Sequence, residues 1–408
     1  MKNKKIYGAA AGALMALTGI ASAQVSPVRP AYAFPETNSP ALGMAAVPLG
    51  DGPLYFAPFA GVTVGRDDNL LLSPNNELDS GFAIYSLGVK LDARSERSVF
   101  QLGYVANIGQ YNSSEADDYV DQTLRSTYDF AFSPRSFLRV GYDYLRAHDP
   151  RGSTDRGISS QVDRYKLSTP TVTYAYGAPN AQGRFEAYYS YADRQYLNNR
   201  ETTAASDRVT TEYGGAFYWR VMPKTSLLFE ARHTELDYKL STSQLDSEEI
   251  RYYIGATWDA TAATTGTVKV GRVEKKFDCC FPSAKDSSWE GIITWLPRTY
   301  SKFDFYSSRQ PTESTGLGTF ILTDASGVLW THNWNSVVWS EIGARYQKDK
   351  YQGFDRRDET TSVGLKVGYK FRRWLTLGAE YQYFTRDSNL PQFEYDRNLY
   401  MLTATGSL

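Results

Sequence analysis

The side chains able to do chemistry in this chain are mostly charged ones, set at even spacings within apolar or aromatic segments. Arg139 and Asp143, Glu186 and Arg194, Glu212 and Arg220, and Glu230 and Arg232 are spaced this way, as are Glu341 and Arg345, and Lys366 and Lys370. Arg251, Lys269, Asp304 and Glu380 alternate with apolar neighbours in the same manner. On a strand, even spacing means one shared face. Carboxylates and cations gathered on such faces pair across neighbouring strands and make a hydrated wall of both signs. That chemistry solvates and braces; it does not make or break bonds.

Reaction machinery is missing from the sequence. There is no Gly-rich phosphate loop, no nucleophile elbow and no His pair at metal spacing. The three histidines, His148, His233 and His332, fall on different expected strands. A hydrolase would need a Ser and a His at one rim, and nothing in the spacing points to that. No enzymatic activity, cofactor or metal is expected. The cysteines, Cys279 and Cys280, are adjacent, which is neither a zinc pattern nor a disulfide framework. On an exported loop they are expected as a local staple, a strained vicinal disulfide or a link to a partner. With Lys+Arg 44 against Asp+Glu 45, the chain has no basic field for nucleic acid.

The elements that carry these charges follow from an alternation running from Phe59 to the C-terminus. In Val363-Gly364-Leu365-Lys366-Val367-Gly368-Tyr369-Lys370 the apolar residues take one face and the glycines and lysines the other. A soluble sandwich also alternates. Here about eighteen such segments, each roughly ten residues long with aromatic ends, point to strands crossing a membrane. The 31 Tyr, 20 Phe and 8 Trp suit interfacial girdles, and a mean hydropathy of -0.45 suits polar loops and a wet interior. Connections alternate between short ones such as Arg94–Arg97 and Met222–Thr225 and longer polar ones such as Asp67–Ser80 and His148–Gln161, as in barrels with periplasmic turns and surface loops. The segment 318–332 is interrupted by Asp324-Ala325-Ser326-Gly327, which predicts a bulge or two short strands.

Residues 1–23 have the form of a secretory signal: Lys2, Lys4 and Lys5, an apolar stretch from Gly8 to Ile20, and the small residues Ala21-Ser22-Ala23. Residues 24–53, with Pro27, Pro30, Pro35, Pro40, Pro48 and Pro53, read as an extended periplasmic leader that tethers or plugs. Residues 54–408 form the expected domain. Its class is all-β, a transmembrane antiparallel up-and-down β-barrel of about 18 strands in the outer membrane of a Gram-negative bacterium. The terminal segment places Tyr400, Leu402, Ala404 and Leu408 on one face, similar to the strand signal read by the outer-membrane assembly machinery.

On this barrel, parity sends the charged set inward: Arg139, Asp143, Glu186, Arg194, Glu212, Arg220, Glu230, Arg232, Arg251, Lys269, Glu341, Arg345, Lys366 and Glu380. Tyr218, Tyr253, Tyr306, Trp339 and Phe384 share the inward face. Flat rings there suit sliding contact with sugars, or pack to narrow the bore.

Several short stretches resemble a known family. Ala60-Gly61-Val62-Thr63-Val64-Gly65-Arg66-Asp67-Asp68-Asn69-Leu70 looks like the opening strand of outer-membrane β-barrel porins encoded with exopolysaccharide clusters, which carry an aromatic where this chain has Gly65. Tyr104 to Tyr111, Tyr119-Val120-Asp121, Phe132-Ser133-Pro134-Arg135 and Asp149-Pro150-Arg151-Gly152 are similar as well. The resemblance implies export of capsular or extracellular polysaccharide beside a periplasmic export protein, and it carries over no catalytic residue. Two other functions fit the same sequence features: a diffusion porin for small solutes, and a non-conducting structural or adhesive barrel whose loops bind a partner.

Overall fold

The structure, a computed structural model, describes residues 47–48, 52–178, 181–261 and 263–407. The expected signal sequence, most of the expected leader and Leu408 lie outside the described residues. Alternation of β-branched or aromatic residues with small or polar ones gives eighteen strands of 12 to 16 residues, longer than the sequence suggests. They are β1 (Leu54–Asp67), β2 (Ser80–Arg94), β3 (Ser98–Tyr111), β4 (Tyr119–Ser133), β5 (Ser136–Asp149) and β6 (Asp163–Tyr176). Then come β7 (Gly183–Tyr196), β8 (Arg208–Met222), β9 (Thr225–Tyr238), β10 (Ser247–Thr261), β11 (Thr264–Phe277) and β12 (Ala284–Arg298). The last are β13 (Ser301–Thr312), β14 (Phe320–Asn333), β15 (Val338–Gln352), β16 (Arg357–Arg372), β17 (Leu375–Ser388) and β18 (Tyr395–Ser407).

Each strand pairs antiparallel with the next, and β18 returns to β1 in register from Leu399 opposite Asp67 to Ser407 opposite Phe59. Val47–Pro48 pairs with Phe56 and Tyr55, carrying the ladder past the end of β18. The result is a closed antiparallel barrel without a free sheet edge. Connections alternate as expected, short turns at the end where the barrel strands begin and finish, and mostly longer loops at the other.

The break expected at Asp324-Ala325-Ser326-Gly327 is not there. β14 runs through it, pairing without a register shift on both sides. These four residues resemble a turn in composition, yet they alternate: Asp324 faces out to Arg309 and Ser326 to Ser307, while Ala325 and Gly327 face in. Cross-strand partners satisfy the polar groups that would otherwise favour a turn.

Two faces are separated strictly. Val363, Leu365, Val367 and Tyr369 of β16 are all exposed, and so are Phe217 and Trp219 of β8 and Leu227 and Phe229 of β9. These are the surfaces that meet hydrocarbon. A charge there is costly, which gives a test: Leu365→Arg is expected to lower stability in lipid vesicles by about 2–4 kcal/mol. Arg125→Gln, which opens an exposed inward pair with Asp143, is expected to cost no more than about 1 kcal/mol. Equal losses in urea titrations followed by Trp fluorescence would contradict the assignment of faces.

Candidate functional site: the barrel interior and its mouth

Many of the inward charges on β7 to β12 gather into neighbouring buried clusters of ion pairs. Arg232 of β9 donates to Glu230 at 2.6 Å and to Glu290 at 3.1 Å. Lys269 of β11 reaches both carboxylates, at 2.7 and 2.9 Å. Glu290 sits on β12, three strands from Arg232, or roughly 14 Å along the wall. A side chain spans that distance only across the concave side, which settles which face is inner. Toward the long loops, Lys275 bridges Glu249 at 2.9 Å and Glu313 at 2.8 Å, and Arg251 pairs with Glu249. On the other flank Arg184 pairs with Glu186 at 2.9 Å. The side chain of Glu230 is fully buried, so this half of the interior is packed with charge-paired side chains.

The structure brings the inward candidates into different surroundings. Glu186, Glu230, Arg232, Arg251 and Lys269 join these clusters, with Glu212 at their margin, accepting from Thr234. Arg139 binds Asp129 at 2.5 Å, and Arg194 reaches Tyr196 and Asp149. Asp143 pairs with Arg125, and Lys366 with Glu380 at 3.1 Å opposite Glu341. Arg345 donates to Gln347, and Arg220 lies opposite Ser226 toward the short-turn end. Asp304 meets Lys302 at 2.7 Å. Sequence reasoning missed Glu249, Lys275, Glu290, Glu313 and Arg184. Parity carried to the true strand ends would have found Glu249 and Lys275, which lie near the loop ends of β10 and β11, strands of 15 and 14 residues where the alternation suggests about ten.

The five inward rings divide into two groups. Tyr218, Tyr253 and Phe384 are buried. Tyr218 lies beneath the Arg184 guanidinium and donates to Glu186, Tyr253 donates to Glu290, and Phe384 packs with Leu72 and Tyr395. Tyr306 and Trp339 instead lie flat on the wall over the glycines directly opposite them, Gly327 and Gly368. A Cβ at Gly368 would come within 2.2 Å of the Trp339 ring, and one at Gly327 within 2.5 Å of Tyr306. Tyr188 over Gly214, Tyr119 over Gly109 and Phe59 over Gly88 repeat the device. The ring replaces the side chain that glycine lacks and supports the ladder there.

The wall from β1 to β6 is different in kind. Thr63 shares a hydrogen bond with Thr403 at 3.0 Å and Ser86 donates to Asn107 at 2.7 Å. Thr123, Thr127, Thr169, Thr171 and Thr173 continue this inward surface. It is rich in small hydroxyl side chains, with separate ion pairs set among them, Lys90 with Asp92, Arg125 with Asp143 and Arg139 with Asp129.

The loop 150–162 between β5 and β6 spans the long-loop end. Arg151 binds Asp117 on the β3–β4 connection, and Gly152, at φ +79, lies against the Leu71 carbonyl of the β1–β2 connection. Asp155 accepts from Thr315 at 3.1 Å, from Arg356 at 3.0 Å and from Tyr351 at 2.5 Å. Arg156 donates to Ser206 at 3.0 Å and to the Thr315 carbonyl at 3.1 Å. Burial opposes the Arg156 charge, but Tyr196 and Asp163 beside it raise its pKa above the ordinary guanidinium value. Thr315 and Arg356 belong to the β13–β14 and β15–β16 connections, on the opposite side of a rim roughly 35 Å across for this strand number and tilt. The loop is therefore a strap over the mouth. Cys279 and Cys280 lie on the β11–β12 connection, exposed, with free thiols.

The family described as "Putative beta-barrel porin 2" matches residues 52–407. The chain belongs to that family. Among solved structures, OpdK of Pseudomonas aeruginosa with vanillate aligns over 86% of this chain and 99% of its own, at 10% identity and a TM-score of 0.50. OccAB3 of Acinetobacter baumannii aligns over 88% and 100%, at 10% identity and 0.47. The FrpB iron transporter of Neisseria meningitidis (F3-3 variant) aligns over 80% of this chain, which spans 62% of the transporter, at 13% identity and 0.42. At such identities the likeness concerns the fold alone. No curated protein matches. The porin is an outer-membrane, channel-type barrel.

Two measurements test this geometry. Asp155→Ala removes the acceptor that ties the strap to the far rim, and single-channel conductance is expected to rise at least about two-fold; an unchanged conductance would show that the strap does not limit flow. Glu290→Ala leaves Arg232 and Lys269 sharing Glu230, with Glu212 3.9 Å from Arg232, and the expected loss is about 3–5 kcal/mol. Glu290→Gln, which keeps the shape, separates the missing charge from the missing volume in the same unfolding assay.

Proposed function

We propose that this porin takes part in export of extracellular or capsular polysaccharide across the outer membrane. The observation that carries the reading is the interior surface. One wall is rich in hydroxyls, with its charges held in separate ion pairs, and flat rings such as Tyr306 and Trp339 lie along the bore with one face against the backbone. A glycan needs hydroxyl partners that exchange readily and flat apolar patches under its sugar faces. Barrels of this strand number leave an aqueous channel, and the paired charges of β7 to β13 cancel locally, so a neutral chain meets no strong field. The resemblance to exopolysaccharide-cluster porins supports the same reading and brings a periplasmic polysaccharide-export protein as the partner that would deliver the chain.

A second reading, passive diffusion of small solutes, draws support from the strap, which narrows the mouth. Deleting the gene and measuring surface polysaccharide separates the two readings. Export predicts that the glycan at the surface falls several-fold, with accumulation in the periplasm, and that Trp339→Ala with Tyr306→Ala gives a partial loss while the barrel still assembles. Surface glycan at the parental level, with ion conductance in planar bilayers intact, would reject export and leave diffusion.

A further inference from the structure

Outside the barrel, near the loop end, three basic side chains stand together without an acidic partner. Arg146 of β5 and Lys166 of β6 are directly opposite one another, and Gln122 of β4 and Gln195 of β7 extend the same row. Arg164 lies two residues from Lys166 on the same face, toward the loops. This is the outward face: Val140 and Tyr142 of β5 and Val172 and Tyr174 of β6, at the same parity, are the exposed apolar residues below. Among the described residues no carboxylate lies within the 4.0 Å of an ion pair from Arg146, Arg164 or Lys166. Asp193 of β7, on the same face, is held by Lys239 at 2.5 Å.

Two like charges placed opposite each other on adjacent strands repel. Several outward bases near this end are matched: Arg66 with Asp79, Lys348 with Glu359 at 2.7 Å and Arg309 with Asp286 at 3.0 Å. Lys350, opposite Arg357, and Arg272 instead stand singly, with no carboxylate within ion-pair distance among the described residues. The row at Arg146 and Lys166 differs from both kinds of position in gathering three bases on two adjacent strands with no carboxylate among them. Its height indicates the source. Leu138 marks the lower part of the apolar surface on β5, and eight residues at about 3.4 Å each, tilted about 40°, put Arg146 roughly 20 Å above it. An apolar band is about 25 Å tall. The charges sit at its upper edge, level with the headgroups of the outer leaflet, where long cationic side chains extend toward the interface.

We infer that Arg146, Lys166 and Arg164 form a binding site for the phosphate-bearing headgroup of an outer-leaflet lipid, with Gln122 and Gln195 as neutral hydrogen-bond partners at its sides. A phosphate between Arg146 and Lys166 converts the repulsive pair into two charge-assisted hydrogen-bonded contacts. The acyl chains of the same molecule would lie along Tyr142, Val140, Val172 and Tyr174 below.

The test uses the full barrel in detergent and in phosphatidylcholine vesicles. Unfolding temperature is measured with a bis-phosphorylated glucosamine lipid, with the same lipid after phosphatase treatment, and with inorganic phosphate at matched concentration. The phosphorylated lipid alone is expected to raise the midpoint by several degrees. The variant Arg146→Gln, Arg164→Gln, Lys166→Gln is expected to lose that shift and to retain less than half of the co-purifying lipid phosphorus, while Arg66→Gln retains it. An equal shift from the dephosphorylated lipid would overturn the site, and this arm needs only the wild-type protein. The same shift from inorganic phosphate would overturn the assignment to a lipid. Unchanged lipid phosphorus in the triple variant would also overturn it.

Discussion

A strand in hydrocarbon has nowhere to send its backbone N–H and C=O groups except to another strand. That constraint governs everything else in this porin. It requires the ladder from β1 to β18 to close on itself, which it does from Leu399 opposite Asp67 to Ser407 opposite Phe59. Once the ladder is closed, each side chain has one of two addresses, bilayer or bore. A one-residue slip in any strand would exchange them all, so register and composition enforce each other around the ring.

Closure also explains where the charges end up. Carboxylates and cations barred from the lipid face accumulate on the concave one, where curvature brings strands two or three apart within reach. Arg232 to Glu290 and Lys269 to Glu230 are contacts that a flat sheet would not allow. Their pairing leaves one side of the interior dense with clustered charge and the β1–β6 wall rich in hydroxyls, with only separate ion pairs among them. The strap anchored by Asp155 then limits the opening from above. Channel character in this porin comes from the difference between its two walls and from what crosses its mouth.

The architecture was legible because its signal is local. Alternation in Val363 to Lys370 can be read residue by residue, and it assigns the same faces that the exposures of Val363, Leu365, Val367 and Tyr369 display. Strand ends were less legible, since above the membrane both faces become polar and alternation fades; Glu249 and Lys275 were lost for that reason. The supposed break at Asp324 to Gly327 was an error of the same origin. Turn-forming residues look alike whether they bend the chain or simply line its two faces, and only the neighbours on β13 and β15 distinguish these cases.

The order of residues by itself determined the strand class, the direction of each side chain, and the alternation of turns and loops, because period two and chain punctuation are properties of neighbours along the chain. Tertiary structure alone decided which inward groups meet. That Trp339 lies over Gly368, that Arg232 finds Glu290, and that Asp155 crosses to Arg356 depend on register and curvature, which bring together residues 29, 58 and 201 positions apart. Contacts of that kind are set by the closing of the ring, and no window along the sequence contains them.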